Sequence, residues 1–111
     1  MPNVTRGSLY LVKLSNGART PVLVVSRNAL HQESDFALVA PVAKKSAVGA
    51  TLLPSHVVVS GTGTDLDDEG VILCELIRPV NKQHFHTLIG QIQENLQSKV
   101  DNSLQVVLAL D

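Results

Sequence analysis

Two apolar runs with charged groups at their ends constrain the fold of this chain most. Residues 18–28 read ARTPVLVVSRN, and residues 71–79 read VILCELIRP. Four consecutive residues of Val and Leu are typical of a strand that is covered on both faces, and Pro21 stands at the start of its run, where a missing backbone donor is tolerated. Both runs therefore predict buried strands whose polar groups lie at the strand ends.

Length and composition predict one domain over residues 1–111. The chain has 111 residues, of which 44% are hydrophobic and 17% charged, enough for one core and too few for two. Its aromatic residues are Tyr10, Phe36 and Phe85, so the core must be aliphatic. The single cysteine, Cys74, cannot form an internal disulfide, which suits a reducing compartment. With no apolar run of about 20 residues and no secretory pattern at the start, we expect a cytoplasmic protein without a membrane segment.

Charge is distributed unevenly along the chain. Residues 1–50 carry six Lys or Arg against two acids, and residues 51–111 carry three against eight. This asymmetry allows a local phosphate-binding face on a protein whose net charge is only -1. Solvated charges without a partner explain the same pattern equally well.

The apolar pattern along the chain predicts mainly β-structure. Residues 15–18 (SNGA) carry turn chemistry between the first two strands, and 61–64 and 67–70 are predicted turns by composition. His31 is expected in a loop. The predicted strands are 8–14, 22–25, 36–42, 52–60 and 71–77, with a final short strand at 88–92.

The C-terminal segment changes to a helical period. Its apolar residues recur every three or four positions, and Glu94 near the start suits the helix dipole. Asn81 is a reasonable N-cap for a shorter helix. The chain is thus predicted to be α+β, a small antiparallel sheet closed into a partial barrel with a C-terminal amphipathic helix. The apolar stripe consists of Leu96, Val100, Leu104, Val107 and Leu108.

Together with residues 6–14 (RGSLYLVKL) and 53–57 (LPSHV), the two runs resemble the MazF/PemK family of toxin endoribonucleases, in the same order along the chain. The resemblance covers nearly the whole sequence. It implies an SH3-like barrel that forms a homodimer and acts as the toxin of a type II toxin-antitoxin system. It further implies cleavage of single-stranded RNA through a 2′,3′-cyclic phosphate, without metal or cofactor, and a cognate antitoxin protein as partner.

Cutting RNA without a metal requires a base for the 2′-hydroxyl, cations for the pentavalent phosphate and a proton source for the departing oxygen. Glu75 and Arg19 are the predicted catalytic residues, the first as base and the second as charge stabiliser. A carboxylate within an apolar strand must be paired, hydrogen-bonded or raised in pKa, unless its face of the strand is simply wet. The predicted RNA-binding residues are Thr20, Lys44, Lys45, His56 and Arg78.

Two positions and one loop differ from the family pattern. The loop that joins the first two strands is several residues shorter than usual and lacks the Glu-Gln and Gly-rich segment of the family. Family members have an arginine directly before the proline of the second strand, whereas Thr20 separates Arg19 from Pro21. Arg19 therefore points to the opposite face of the sheet unless a bulge restores it. The Ser or Thr that often follows the third strand is replaced by Ala43, which has no hydroxyl.

These residues leave two functions open. The first is a toxin-type endoribonuclease. The second is a catalytically weak or inactive barrel that acts as a binding module for RNA or protein, as the related gyrase-poisoning toxins do. His56 is either an aid to proton transfer or a hydrogen-bonded strand-end histidine. Cys74 is expected to be a buried, unreactive thiol, and His84 and His86 are expected to be surface residues rather than metal ligands.

Overall fold

A computed structural model describes residues 4–48, 52–59 and 69–110. Within these ranges the chain forms seven strands and three α-helices, with single 3₁₀ turns at Cys74–Leu76 and Lys82–His84. The strands are β1 (Ser8–Lys13), β2 (Arg19–Val24), β3 (Phe36–Lys44), β4 (His56–Val59), β5 (Gly70–Leu73), β6 (Arg78–Asn81) and β7 (Phe85–Gln91). The helices are α1 (Asn28–Glu33), α2 (Lys45–Val48) and α3 (Glu94–Leu108).

The strands form one antiparallel sheet in the order β4-β5-β3-β2-β1-β7, and β6 also pairs with β3. The predicted antiparallel sheet with a C-terminal helix is confirmed. Among the described strands, however, the pairing follows an open path from β4 to β7 and does not close a complete barrel. The Lys82–His84 turn carries the chain from the end of β6 to β7, which pairs with β1.

Two apolar cores lie on opposite faces of the sheet. In β2, Leu23 belongs to the core beneath α3, whereas Val22 and Val24 belong to a second core on the opposite face. All three side chains are fully buried, which confirms a strand covered on both faces. Each such side chain stabilises the fold by roughly 1.5–3 kcal/mol. Tyr10 and Phe85 meet edge to face in the second core, with ring centroids 5.2 Å apart.

The predicted amphipathic helix is confirmed as α3. Val100 is completely buried at its centre, and Glu94 lies in its first turn. The helix ends where Ala109 adopts a left-handed conformation (φ 56°). The guanidinium of Arg6 contacts the Asp101 carboxylate at 2.5 Å and so joins the start of the chain to α3.

Two predicted strands need correction. The strand predicted at 52–60 is regular only over His56–Val59, and residue 60 lies outside the described ranges. The strand predicted at 71–77 is interrupted by the Cys74–Leu76 turn. Between its pairings with Ile72 and Arg78, β3 has two residues, whereas the facing chain has the five residues 73–77. Three extra residues therefore project from the sheet at this point.

The prediction that His31 lies in a loop is wrong. His31 is part of α1 and is buried. Its Nδ1 lies 2.9 Å from the carbonyl oxygen of Val4, which can only accept, so Nδ1 carries the proton. Its Nε2 then accepts from the hydroxyl of Ser26 at 2.5 Å. The helices α1 and α2 were not predicted.

The remaining predictions concern turns and the last strand. The 15–18 turn is confirmed, with Gly17 at φ 85°. Asn81 caps the Lys82–His84 turn by accepting from the backbone N–H of Gln83 at 2.9 Å. The final strand begins earlier than predicted, at Phe85. The predicted turn at 61–64 and residues 67–68 lie outside the described ranges. No helix among the described residues is both long and apolar enough to cross a membrane.

Candidate functional site

The Cys74–Leu76 turn brings Glu75 against His56, the first residue of β4. Nε2 of His56 lies 2.9 Å from Oε2 of Glu75. The backbone N–H of Leu53 donates to Nδ1 of the same ring at 3.2 Å. Because Nδ1 accepts, the ring proton is on Nε2 and is donated to the carboxylate. The histidine side chain is 8% exposed and that of Glu75 34%, so the carboxylate keeps one side open to solvent.

The pKa of Glu75 lies below its ordinary value. Desolvation by burial acts to raise this pKa and is the largest single influence. It is outweighed by hydrogen bonds from the backbone N–H of Glu75, from His56 and from Ser55, together with the electrostatic attraction of the His56 ring. Glu75 is therefore an ionised carboxylate at neutral pH.

Backbone contacts on both sides fix this pair. The N–H of His56 donates to the carbonyl oxygen of Leu53 at 2.9 Å, which closes a turn just before β4. The N–H of Cys74 donates to the carbonyl oxygen of Ser55 at 3.0 Å. The 55–56 and 74–75 segments consequently lie side by side, and the buried Cys74 side chain anchors the 3₁₀ turn in the core.

Cys74 was expected to be a buried, unreactive thiol, and the structure confirms that it is buried. Its side chain is fully enclosed, and burial, followed by the neighbouring charge of Glu75, raises its pKa to about 11. The nucleophilic form of cysteine is the thiolate. At neutral pH this thiol is protonated and has no part in the chemistry of the site.

Arg19 and Thr20 begin β2 on opposite faces. The pairing of β1 with β2 runs without a shift from Leu9 opposite Leu23 to Lys13 opposite Arg19, so no bulge moves Arg19 to the face of Thr20. Arg19 and Leu23 are four residues apart in the same strand and therefore lie on the same face of the sheet, which is the face of the core beneath α3. No hydrogen bond or ion pair between Arg19 and Glu75 is found in the described residues, and β3 lies between β2 and the strands β5 and β6 that flank the turn of Glu75.

The other predicted RNA-binding cations are dispersed. Lys44 ends β3 opposite Gly70, and Arg78 begins β6 opposite Val39. Lys45 begins α2, and its Nζ is 3.4 Å from the carboxylate of Glu69. Of the predicted site residues, the structure thus directly joins only His56 and Glu75. Among the described residues, the unpaired cations include Arg19, Lys44 and Arg78.

Sequence reasoning missed two cations near these residues. Lys13 lies directly across the β1–β2 hairpin from Arg19, and like charges placed opposite each other destabilise a sheet. In a hairpin that turns at residues 15–18, pairing the residues on either side of the turn would have placed Lys13 opposite Arg19. Lys99 of α3 lines a groove of about 410 Å³ that His56 also lines. No local pattern connects Lys99 with His56, because the groove that both residues line depends on how α3 packs.

A metal centre is not evident among the residues described. His84 lies in the Lys82–His84 turn and His86 in β7, both exposed. Across 4–48, 52–59 and 69–110, no three side chains of His, Cys, Asp or Glu cluster closely enough to hold a metal ion.

Comparisons with known proteins define the class. Residues 5–108 match the model of the PemK-like, MazF-like toxins of type II toxin-antitoxin systems, and the chain belongs to this family. It is 32% identical over 113 residues to Endoribonuclease EndoA of Bacillus subtilis (strain 168), covering 96% of both chains.

Solved structures share the fold at lower identity. A mycobacterial endoribonuclease in complex with its cognate antitoxin matches with a TM-score of 0.82 at 20% identity, over 97% of both chains. The MazE-MazF complex of Deinococcus radiodurans matches with a TM-score of 0.80 at 18% identity, over 97% of this chain and 98% of the other.

Proposed function

We propose that this toxin is an endoribonuclease that cleaves single-stranded RNA without a metal. The observation that carries the proposal is the His56–Glu75 pair, in which an ionised, partly exposed carboxylate is held in place by a buried imidazole. The similarity to an endoribonuclease over nearly the whole chain supports the same activity.

In the proposed reaction Glu75 is the general base. Its carboxylate takes the proton of a ribose 2′-hydroxyl as the 2′-oxygen attacks the adjacent phosphorus. The new P–O2′ bond closes a 2′,3′-cyclic phosphate, the P–O5′ bond breaks, and the departing 5′-oxygen takes up a proton. His56 keeps the carboxylate oriented, because its own ring proton is already donated to Glu75.

Cations stabilise the pentavalent phosphate in this scheme. Arg19 is proposed for that role because its guanidinium stays charged and is unpaired in the described part of the chain. The RNA backbone is bound by Lys44, Lys45 and Arg78, and Thr20 contacts the RNA from the other face of β2. Lys45 must first leave its half-exposed ion pair with Glu69, which costs little because such pairs are worth about 0–1 kcal/mol.

The proposed setting is a cytoplasmic homodimer neutralised by an antitoxin protein. A mycobacterial endoribonuclease with this fold was solved in complex with its cognate antitoxin, and a Deinococcus radiodurans structure with this fold is a MazE-MazF complex. Several exposed apolar side chains offer surface for such contacts. The most exposed of those on the 74–76 turn and the C-terminal segment are Leu76, Val106, Leu108 and Leu110.

A binding module without catalysis is the second candidate. One observation favours it: Arg19 stays on the face opposite Thr20, and the position that often carries a hydroxyl in the family is Ala43. In that case the barrel would bind RNA or a protein and leave the phosphodiester intact.

Metal-free cleavage separates the two candidates. Purified protein is incubated with a long single-stranded RNA in EDTA, beside Arg19→Ala and Glu75→Ala, with the exposed Arg27→Ala as a matched control. We expect discrete cuts with 2′,3′-cyclic phosphate ends from the wild type and Arg27→Ala, and none from the other two variants. Intact RNA at high protein concentration would refute the catalytic proposal and leave the binding module.

A further inference from the structure

A groove separate from the His56–Glu75 pair lies where the end of β1 approaches β6. We call it the seam groove, and its polar and aromatic lining consists of Lys13, Ser15, Phe36, Arg78, Asn81 and His84. Its volume is about 270 Å³, just below the 300–1,000 Å³ range of pockets for small molecules. The space suits a single flat group, such as one nucleobase, rather than a larger ligand.

Phe36 is the exposed aromatic side chain of this groove. Its residue exposure is 48%, whereas Tyr10 and Phe85 are exposed by 4% and 5%. It begins β3 with its backbone paired to Asn81, so the ring is attached to a regular strand rather than a loose loop. An aromatic face fixed at the surface is the usual platform on which single-stranded RNA stacks an unpaired base.

The charge around Phe36 fits the phosphates that accompany such a base. Lys13 and Arg78 line the groove, and neither makes an ion pair among the described residues. Of the described residues lining the groove, none carries a carboxylate. Arg19 lies directly across the hairpin from Lys13, which extends the positive surface toward β2. Such a surface favours an anionic partner over a neutral apolar one of the same size.

We propose that the seam groove is a nucleotide subsite, in which one base of the RNA stacks on Phe36 while Lys13 and Arg78 hold the flanking phosphates. This inference rests on the proposed function and deepens it. Arg78 follows Glu75 by three residues, so their Cα atoms are at most about 11 Å apart. One RNA strand can therefore reach both sites. The base on Phe36 belongs to a nucleotide that flanks the cleaved bond and helps to set the sequence preference.

The test uses the full chain and an uncleavable ligand. The wild type and Phe36→Ala are titrated with a fluorescent, mixed-sequence, single-stranded oligonucleotide whose 2′-oxygens are methylated, and binding is followed by anisotropy. Leu88→Ala, which removes an exposed apolar side chain outside the groove, is the matched control. Phe36→Trp restores a ring and introduces the only tryptophan of the chain, whose fluorescence reports stacking directly.

Loss of one stacked base weakens binding by about 5- to 150-fold. We expect Phe36→Ala to lose affinity in this range, Leu88→Ala to bind as the wild type does, and the emission of Phe36→Trp to be quenched by the oligonucleotide. Equal affinity of Phe36→Ala and the wild type, or unquenched emission at saturation, would overturn the subsite. So would quenching by an acidic peptide but not by the oligonucleotide.

The same titration distinguishes this inference from the proposed function. Because the oligonucleotide cannot be cut, stacking on Phe36 is measured whether or not the protein cleaves RNA. Stacking without cleavage of natural RNA would support the subsite and refute the nuclease. Cleavage with an unchanged KM in Phe36→Ala would support the nuclease and refute the subsite.

Discussion

His56 holds Glu75 through one hydrogen bond of 2.9 Å, and the direction of that bond is set by Leu53. Since the N–H of Leu53 occupies Nδ1, the ring proton is on Nε2 and points to the carboxylate. A neutral imidazole is sufficient for this contact. It follows that His56 positions the base, and that the proton for the departing 5′-oxygen must come from another group or from water.

Replacing Glu75 by Gln tests the base. The amide keeps the size of the side chain and removes the proton acceptor, so we expect cleavage to fall about 10²- to 10⁴-fold while RNA binding is retained. Single-turnover cleavage and anisotropy measure the two effects, with the exposed Glu33→Gln as control. If Glu75→Gln still cut RNA at the wild-type rate, the base would have to be another residue.

Replacing His56 by Ala tests positioning through the pH profile. His56 lowers the pKa of Glu75 through its hydrogen bond, so the loss of His56 raises that pKa. The ionised base is then lost at a higher pH, and we expect the acid limb of kcat/KM to move to higher pH. The exposed His86→Ala is the control and should leave the limb in place. A uniform fall of kcat/KM with an unmoved limb would mean a purely structural role for His56.

The proposed charge-stabilising role of Arg19 is tested by replacing it with Ala and by making the same change at Arg27 as a control. We expect Arg19→Ala to lower kcat about 10²- to 10³-fold, the size expected for one donor that stabilises transition-state charge, with a smaller effect on KM. Arg27, exposed and unpaired among the described residues, should tolerate the same change. A restoration of activity by Thr20→Arg in the Arg19→Ala background would show that the position next to Pro21 is the productive one. Equal rates for Arg19→Ala and the wild type would remove Arg19 from the site.

The Cys74 thiol reports on the packing around the 74–76 turn. With a pKa of about 11 and no exposed surface, it should resist a thiol reagent at neutral pH and react only on unfolding. Labelling at increasing urea concentration, followed by mass spectrometry, should coincide with the loss of circular dichroism. Fast labelling of the native protein would contradict the described burial.

His31 is expected to be a stability residue. His31→Ala would leave the carbonyl of Val4 and the hydroxyl of Ser26 without their partner and open a cavity, which should cost about 2–4 kcal/mol in the free energy of unfolding. Urea denaturation measures this, with His86→Ala as the exposed control. A change below about 0.5 kcal/mol would show that the buried network contributes little.

The long elements were predictable because their sequence signals are strong and local. The unbroken apolar run that begins at Val22 and the helical stripe through Val100 each lie in one continuous segment. The strand predicted at 71–77 failed because Cys74, which begins the 3₁₀ turn, and Ile77, which follows it, are both apolar and both pack into the core beneath α3. An apolar run does not show where three residues leave the ladder. The short α1 and α2 carry too few residues for a periodic signal.

The sequence identified the candidate site residues but did not predict which of them meet in the folded chain. Glu75 and His56 are 19 positions apart, and their contact depends on the turn before β4 and on the 3₁₀ turn together. For Arg19, the alternation of a strand correctly predicted the face it occupies. The seam groove was not predicted, since it joins the ends of β1, β3 and β6 and an exposed Phe36 has no local signature.

The three extra residues at the 74–76 turn reverse which side chains, even-numbered or odd-numbered, face each core in β5 and in β6. Even-numbered Ile72 lies opposite Val42 and belongs to the core beneath α3, whereas even-numbered Val80 lies opposite Ala37 and packs against the other core. Without the odd number of extra residues, Val80 would face the core beneath α3 instead. Deleting a single residue here would turn every side chain of β6 to the wrong side and carry Arg78 with them. The length of this turn, more than its composition, is therefore what a functional homologue must keep.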